Sequence, residues 1–187
     1  MKPEWYSGST INMGTFKEVE GNLITLAKKG EFDVISHGCN CMCNMRSGIA
    51  PQMATAFRVD DPFFYKLEHP DTRGDINKLG QIEYNPILIT KNGLLLRNWV
   101  TDKKPEGAIF LYVVNSYTQY IPSRELKPLD YEALTLCMRK INHRFKGQRI
   151  GLPKLGAGLA GGDWTRILPI IQTELKDCDV TIVHYKP

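Results

Sequence analysis

The stretch Arg149–Trp164 reads RIGLPKLGAGLAGGDW. Arg149–Leu152 has the character of a short buried strand, and Asp163 opens a helical segment. The stretch holds five glycines. Glycine tolerates backbone angles closed to other residues and lets main-chain N–H groups approach an anion closely. A helix N-terminus behind such a loop adds unpaired donors and a partial positive charge. The loop therefore suits a phosphate or diphosphate; a plain tight connection between strand and helix is the other reading. Gly156, Gly158 and Gly161 satisfy the letter of G-x-G-x-x-G. A dinucleotide fold is not indicated, because only one further strand follows and Asp177 and Asp179 precede that strand instead of ending it. No Gly-Lys-Ser/Thr follows the glycines, so the P-loop pattern is absent.

A second segment of the same kind lies upstream, at Ile35–Ala50, ISHGCNCMCNMRSGIA. A strand end leads into a polar loop of small residues and then a helix start at Ser47-Gly48-Ile49-Ala50, which again offers helix N-terminal amides. Two such loops at the carboxyl ends of strands can clamp a diphosphate between them. Cys39, Cys41 and Cys43 form a C-x-C-x-C run. Structural zinc sites use paired C-x-x-C spacing with a fourth ligand, and this run offers neither. No metal site is read from the run; it is taken as small side chains packing near the core.

Outward from these two segments the chain alternates helix and strand. Thr15–Glu20 is an edge-strand candidate, and the first 14 residues read as a loosely held extension ahead of one domain over 15–187. Asn22–Lys29 has helical spacing with Asn22 as its cap, and Asp33–His37 is a short buried strand. Gly48–Phe57 is a helix with Ser47 as N-cap and Pro51 in its first turn, and Asp60–Leu67 a further helix. Between Gln81 and Gln119 three strand-like runs, QIEYNPILIT, LLLRNWV and IFLYVVNSY, are broken by Asn-Gly and Pro-Glu-Gly turns. Pro128–Phe145 is the longest amphipathic helix, Asp163–Leu175 a helix, and Val180–Tyr185 the last strand. Helices alternating with strands around a strand-rich middle give an α/β sandwich with a mixed sheet.

At 187 residues, 42% hydrophobic and 24% charged, the composition excludes wholesale disorder and fibres. No apolar run reaches the ~20 residues of a membrane span, and the N-terminus lacks the order of a secretory signal. Net charge is +4, with the signs interspersed; an anionic ligand is allowed and nucleic acid is not required. Five cysteines are an odd number in a chain able to build its own core, which points to reduced thiols in a cytoplasm; a monomer is expected. His37 reads either as a hydrogen-bonded core histidine or as a catalytic group. Asp163 is an N-cap that can also reach a ligand in the adjoining loop. Lys91 sits in a Lys-Asn-Gly turn and reads as a solvated lysine.

Four pieces in order, Glu20-Gly21-Asn22-Leu23, His37-Gly38-Cys39-Asn40 with Ser47-Gly48-Ile49-Ala50, Val113-Val114-Asn115-Ser116, and Pro153-Lys154-Leu155-Gly156-Ala157-Gly158-Leu159, resemble the macrodomain family of ADP-ribose binders. Within it the chain is similar to the branch holding the ADP-ribose-1''-phosphate phosphatase and the terminal ADP-ribose protein glycohydrolase. The resemblance implies a three-layer α/β/α sandwich with a central mixed sheet. It implies ADP-ribose as ligand, no cofactor and no metal. Asn22 with Leu23 falls where the family binds adenine, and Asn40 near the distal ribose. Ser47, Gly48, Ile49 and Ala50 match one diphosphate loop; Pro153, Leu155, Gly156, Ala157, Gly158, Leu159 and Ala160 match the other. Tyr185 lies where the final strand passes the adenine. The glycohydrolase branch has a catalytic lysine from its central strands, loosely matched by Lys91, and a catalytic aspartate directly after its Gly-Leu pair. Here Ala160 follows that pair and the nearest carboxylate is Asp163. The implied activity is hydrolysis at the distal ribose, concretely removal of the phosphate of ADP-ribose 1''-phosphate, with Asp163 or His37 orienting or deprotonating water. Release of ADP-ribose from a modified protein or nucleic acid, and non-catalytic reading of ADP-ribose, are the alternatives.

Overall fold

The computed structural model describes residues 14–59, 73–97 and 103–186. The extension over 1–13 and the helix predicted over Asp60–Leu67 lie outside them. Seven strands form one sheet: β1 (Thr15–Gly21), β2 (Val34–Asn40), β3 (Ile82–Ile89), β4 (Leu95–Arg97), β5 (Ile109–Gln119), β6 (Arg149–Leu152) and β7 (Asp179–Tyr185). Their order is β1-β7-β6-β2-β5-β3-β4. Pairing is parallel from β1 through β5, and antiparallel from β5 to β3 and from β3 to β4. This is the expected mixed sheet. Four α-helices are described: α1 (Leu23–Lys28), α2 (Ala50–Phe57), α3 (Tyr131–Arg144) and α4 (Trp164–Glu174).

Alternation along the central strands sorts their side chains into two cores. Val34, Phe110, Tyr112 and Val114 face α3 and α4, packing with Leu134, Met138, Ile141, Ile167 and Ile171. Ile35, Leu111, Val113 and Ile87 face the other way, against Leu23 and Ala27 of α1 and Met53 and Phe57 of α2. The result is the three-layer α/β/α sandwich.

Helix boundaries follow capping chemistry. Asn22 caps α1, its Oδ1 accepting from Thr25 N at 3.1 Å. Asp130 caps α3 through Ala133 N at 2.9 Å, so this helix begins after Pro128 and Leu129. The helix predicted from Gly48 starts instead at Ala50, with Ile49 and not Ser47 at the N-cap. Gly48 has φ +65, a left-handed value that a right-handed helix cannot contain. Pro51 stays in the first turn, where its missing N–H costs nothing.

One polar chain crosses the α1/α2 core. His37 of β2, in register with Asn115 of β5, places Nε2 2.8 Å from the Asn115 Oδ1. The Asn115 Nδ2 donates to the Val59 carbonyl, at 3.3 Å, just beyond α2. His37 is wholly buried, and burial lowers its pKa from 6.5 to about 4. The unfolded chain therefore binds a proton between those values that the folded chain refuses. Stability is full above pH 6.5 and falls as the pH drops toward 4, by about 3 kcal/mol in all. Urea midpoints of wild type and His37→Gln, taken at pH 7 and pH 5, are expected to differ in pH dependence by about 2 kcal/mol, the wild type losing more in acid.

Candidate functional site

Parallel strands β7, β6, β2 and β5 all end at the same edge of the sheet. In open α/β sheets ligands bind in the crevice outside such carboxyl ends. Here a cleft of about 480 Å³ occupies that edge. Asn40, Ser47, Gly48, Ile49 and Ala50 line it from the β2 side. Pro153, Leu155, Gly156, Gly158, Leu159 and Ala160 line it from the β6 side, and Tyr185 from the end of β7. The two glycine-containing loops singled out in the sequence thus face one space.

The β6 loop is held by its own backbone. Gly162 N donates to the Gly156 carbonyl at 2.9 Å, and Gly161 N to the Gly158 carbonyl at 3.0 Å. Gly156 has φ +77, and a Cβ there would meet Leu129 Cδ1 at 3.0 Å, so the turn and its packing both demand glycine. Gly158 differs: a Cβ there would meet nothing within 4 Å, and the residue lines the cleft. On the other wall no side chain caps the N-terminus of α2, and Ile49 and Ala50 carry that terminus to the cleft. The amides of a first helical turn have no partner within the helix, which makes this end an acceptor of anions. The Asn40 side chain clasps its own loop: Nδ2 donates to the Asn44 carbonyl at 2.8 Å and Oδ1 accepts from Asn44 N at 3.0 Å.

Charge in the cleft has one sign. Arg124 and Lys154 are the charged side chains that line it among the described residues. Lys154 Nζ also lies over the Trp164 ring, 5.7 Å from its centroid. Tyr185 is 66% exposed at the rim, leaving an aromatic face open.

The remaining sequence candidates stand elsewhere. Asn22 spends its side-chain oxygen on the α1 cap, and Leu23 is buried in the α1/α2 core; neither lines the cleft. Ala157 packs against the α3/α4 core. His37 is sealed beneath the sheet surface on Asn115. Asp163 caps α4, its Oδ1 accepting from Thr165 N at 2.9 Å and Thr165 Oγ1 at 2.7 Å. Those bonds hold its carboxyl below the usual carboxylate range. Lys91 follows β3, whose last residue pairs with the first of β5. It therefore lies at the opposite edge of the sheet, roughly 33 Å of strand away from Gln119. The structure does not bring the three catalytic candidates to the cleft. A buried neutral imidazole, a capping carboxylate and a lysine on the far edge have separate structural settings.

The sequence reading missed one wall. Thr118, Gln119, Pro122, Ser123 and Arg124, from the end of β5 and the segment after it, also line the cleft. The available signal was the turn from apolar to polar residues at Thr118-Gln119, at the end of a strand parallel to β2.

No protein-family model matches the sequence. The chain is 29% identical over 177 residues to an uncharacterized 17.5 kDa protein from the tk-vs intergenic region of Enterobacteria phage T4, covering 91% of this chain and 97% of the relative. The macrodomain of Thermus aquaticus DarG superposes with a TM-score of 0.60 at 21% identity, over 93% of this chain and 99% of that one. Thermosipho africanus DarTG, solved in complex with ADP-ribose, gives 0.57 at 15% identity, over 92% of this chain and 43% of that one.

Gly158→Val is expected to leave the melting temperature unchanged while weakening any ligand that approaches the β6 loop, since its side chain enters open cleft space. Asp163→Ala should do the reverse, lowering the melting temperature with ligand affinity unaltered; thermal denaturation and calorimetric titration of both variants check the pair. Sheet order, layering and these structural likenesses agree that the chain has the macrodomain fold.

Proposed function

We propose that the protein binds ADP-ribose, or a derivative substituted at its distal ribose, in the cleft at the strand ends. The observation that carries this reading is the pair of backbone-built walls, the β6 glycine loop and the uncapped start of α2, facing one another across a single cleft. A diphosphate is the group that uses both at once. The cationic Arg124 and Lys154 favour the same charge, and the exposed Tyr185 ring offers a flat surface to a base. The likeness to a solved complex with ADP-ribose supports the same ligand.

The reaction we assign is hydrolysis at the distal ribose, concretely removal of the phosphate from ADP-ribose 1''-phosphate. Water supplies oxygen and proton, and inorganic phosphate and ADP-ribose leave. A new P–O bond to water forms as the bond between phosphorus and the 1''-oxygen breaks, the water proton ends on that oxygen, and positioning and fixed N–H donors stabilise the charge on the phosphoryl oxygens. The second Nδ2 hydrogen of Asn40, beyond the one given to Asn44, is a donor toward the ligand. A non-catalytic reader is the second reading. It is favoured by one observation, that His37, Asp163 and Lys91 do not line the cleft. Release of ADP-ribose from a modified protein or nucleic acid uses the same cleft with a different leaving group.

Purified protein incubated with ADP-ribose 1''-phosphate should release inorganic phosphate, and ADP-ribose should bind competitively. Release with wild-type turnover in Asp163→Ala and loss of turnover in Gly158→Val is the expected pattern. Tight ADP-ribose binding without release removes the phosphatase and leaves the reader or a macromolecular substrate, which labelled ADP-ribosylated acceptors separate. Absence of ADP-ribose binding sinks the assignment altogether.

A further inference from the structure

The pairing of β2 with β5 slips at its functional end. Cys39 pairs with Tyr117 and Asn40 with Gln119, so Thr118 is an extra residue on β5 with no partner across the ladder. Such bulges bend a strand and re-aim a side chain, and they concentrate beside functional sites. Thr118 is wholly buried and lines the cleft. Its Oγ1 has no hydrogen-bond partner among the described residues. The hydroxyls nearby show the usual economy: Ser36 Oγ lies 2.9 Å from the Val114 carbonyl and 2.8 Å from Ser116 Oγ. Buried polar groups are paired as a rule, and an exception calls for a reason.

The surroundings supply one. Thr118 lies across from the Cys39–Asn40 step of β2, and its side chain comes near Gly38, where a Cβ would stand 3.0 Å from Thr118 Oγ1 and 3.8 Å from Leu155 Cγ. Gly38 and Leu155 line the cleft as well, so a residue without a side chain stands between the buried hydroxyl and the cleft. Strand order then fixes which part of a ligand arrives there. The cleft runs along β7, β6, β2 and β5, with Tyr185 at one end, Thr118 at the other and both anion-binding walls between them. A ligand with its base at Tyr185 and its diphosphate on the two walls brings its far sugar to β5.

We propose that the Thr118 hydroxyl is a specificity-determining group that hydrogen-bonds a hydroxyl of the distal ribose. The inference rests on the ADP-ribose reading and deepens it. A threonine hydroxyl both donates and accepts, which matches an uncharged sugar hydroxyl, and it stays unpaired until that sugar is present. A site built in this way discriminates against a ligand that lacks the matching group. ADP, which ends at the diphosphate, does not reach Thr118.

Calorimetric titration of ADP-ribose and of ADP into wild type, Thr118→Val and Thr118→Ser, with thermal denaturation of each ligand-free protein, tests the assignment. Valine keeps the shape and removes the hydroxyl. The expected result is an equal or higher melting temperature for Thr118→Val, ADP-ribose affinity reduced roughly tenfold or more, ADP affinity unchanged, and near wild-type behaviour in Thr118→Ser. Unchanged ADP-ribose affinity in Thr118→Val overturns the inference while the ADP-ribose reading stands. Equal losses for ADP and ADP-ribose also overturn it, because the contact is then not at the distal ribose. A lower melting temperature in Thr118→Val shows that the fold itself uses the hydroxyl, and it too overturns the inference. If wild type binds no ADP-ribose, the reading of the cleft fails and the inference falls with it.

Discussion

The structure depends on a sheet buried on both faces. A helix layer covers each side, so the interior of β2 and β5 is closed to any polar group that is not paired within the strands. Two small networks meet that condition, Ser36 with Ser116 toward one core and His37 with Asn115 toward the other. Everything else along these strands is apolar until they emerge at the carboxyl edge. Parallel pairing from β1 through β5 makes five neighbouring strands emerge together there. The cleft is the consequence: it is where the chain first turns polar, and where helix and loop amides gather.

A cleft assembled this way presents chiefly backbone groups. The β6 loop is shaped by hydrogen bonds between its own glycines, and the α2 terminus contributes amides that no side chain caps. Such donors are fixed before the ligand arrives, so little ordering is needed on binding. Side chains modulate this frame more than they create it. Arg124 and Lys154 set the sign of the charge, Tyr185 gives an aromatic border, and Thr118 sits at the far end with its hydroxyl unpaired. Binding and chemistry are separable in a cleft of this kind, because backbone amides that hold an anion are indifferent to whether it is then cleaved.

His37 and Asp163 each allowed two readings from sequence, and the tertiary setting gives the first a paired core position and the second a helix cap. Both stand beside ligand-loop segments in the chain. Along β2, however, His37 stops one residue short of the cleft-lining Gly38, Cys39 and Asn40, and its imidazole is held on Asn115 in the core. Asp163 follows the glycine loop closely, yet the helix it begins claims its carboxylate through Thr165. Lys91 is separated from the cleft by strand direction alone: β3 runs antiparallel to β5, so its end is the wrong edge.

Among the described residues the sequence alone determined the α-helices and strands in outline, the caps Asn22 and Asp163, the mixed sheet and the two glycine loops, because each is written in local periodicity, capping residues or glycine placement. It also carried most of one wall of the cleft, since a loop between a strand and a helix is contiguous in the chain. The tertiary structure decided what depends on residues far apart in sequence. It set the start of α2 beyond a left-handed Gly48 and the edge to which Lys91 belongs. It buried His37 on Asn115, 78 residues away. It formed the β5 wall, whose Thr118 acquires meaning only when a slipped register leaves it near Gly38. Strand order and register are long-range choices, fixed by which faces bury together, and no local pattern encodes them.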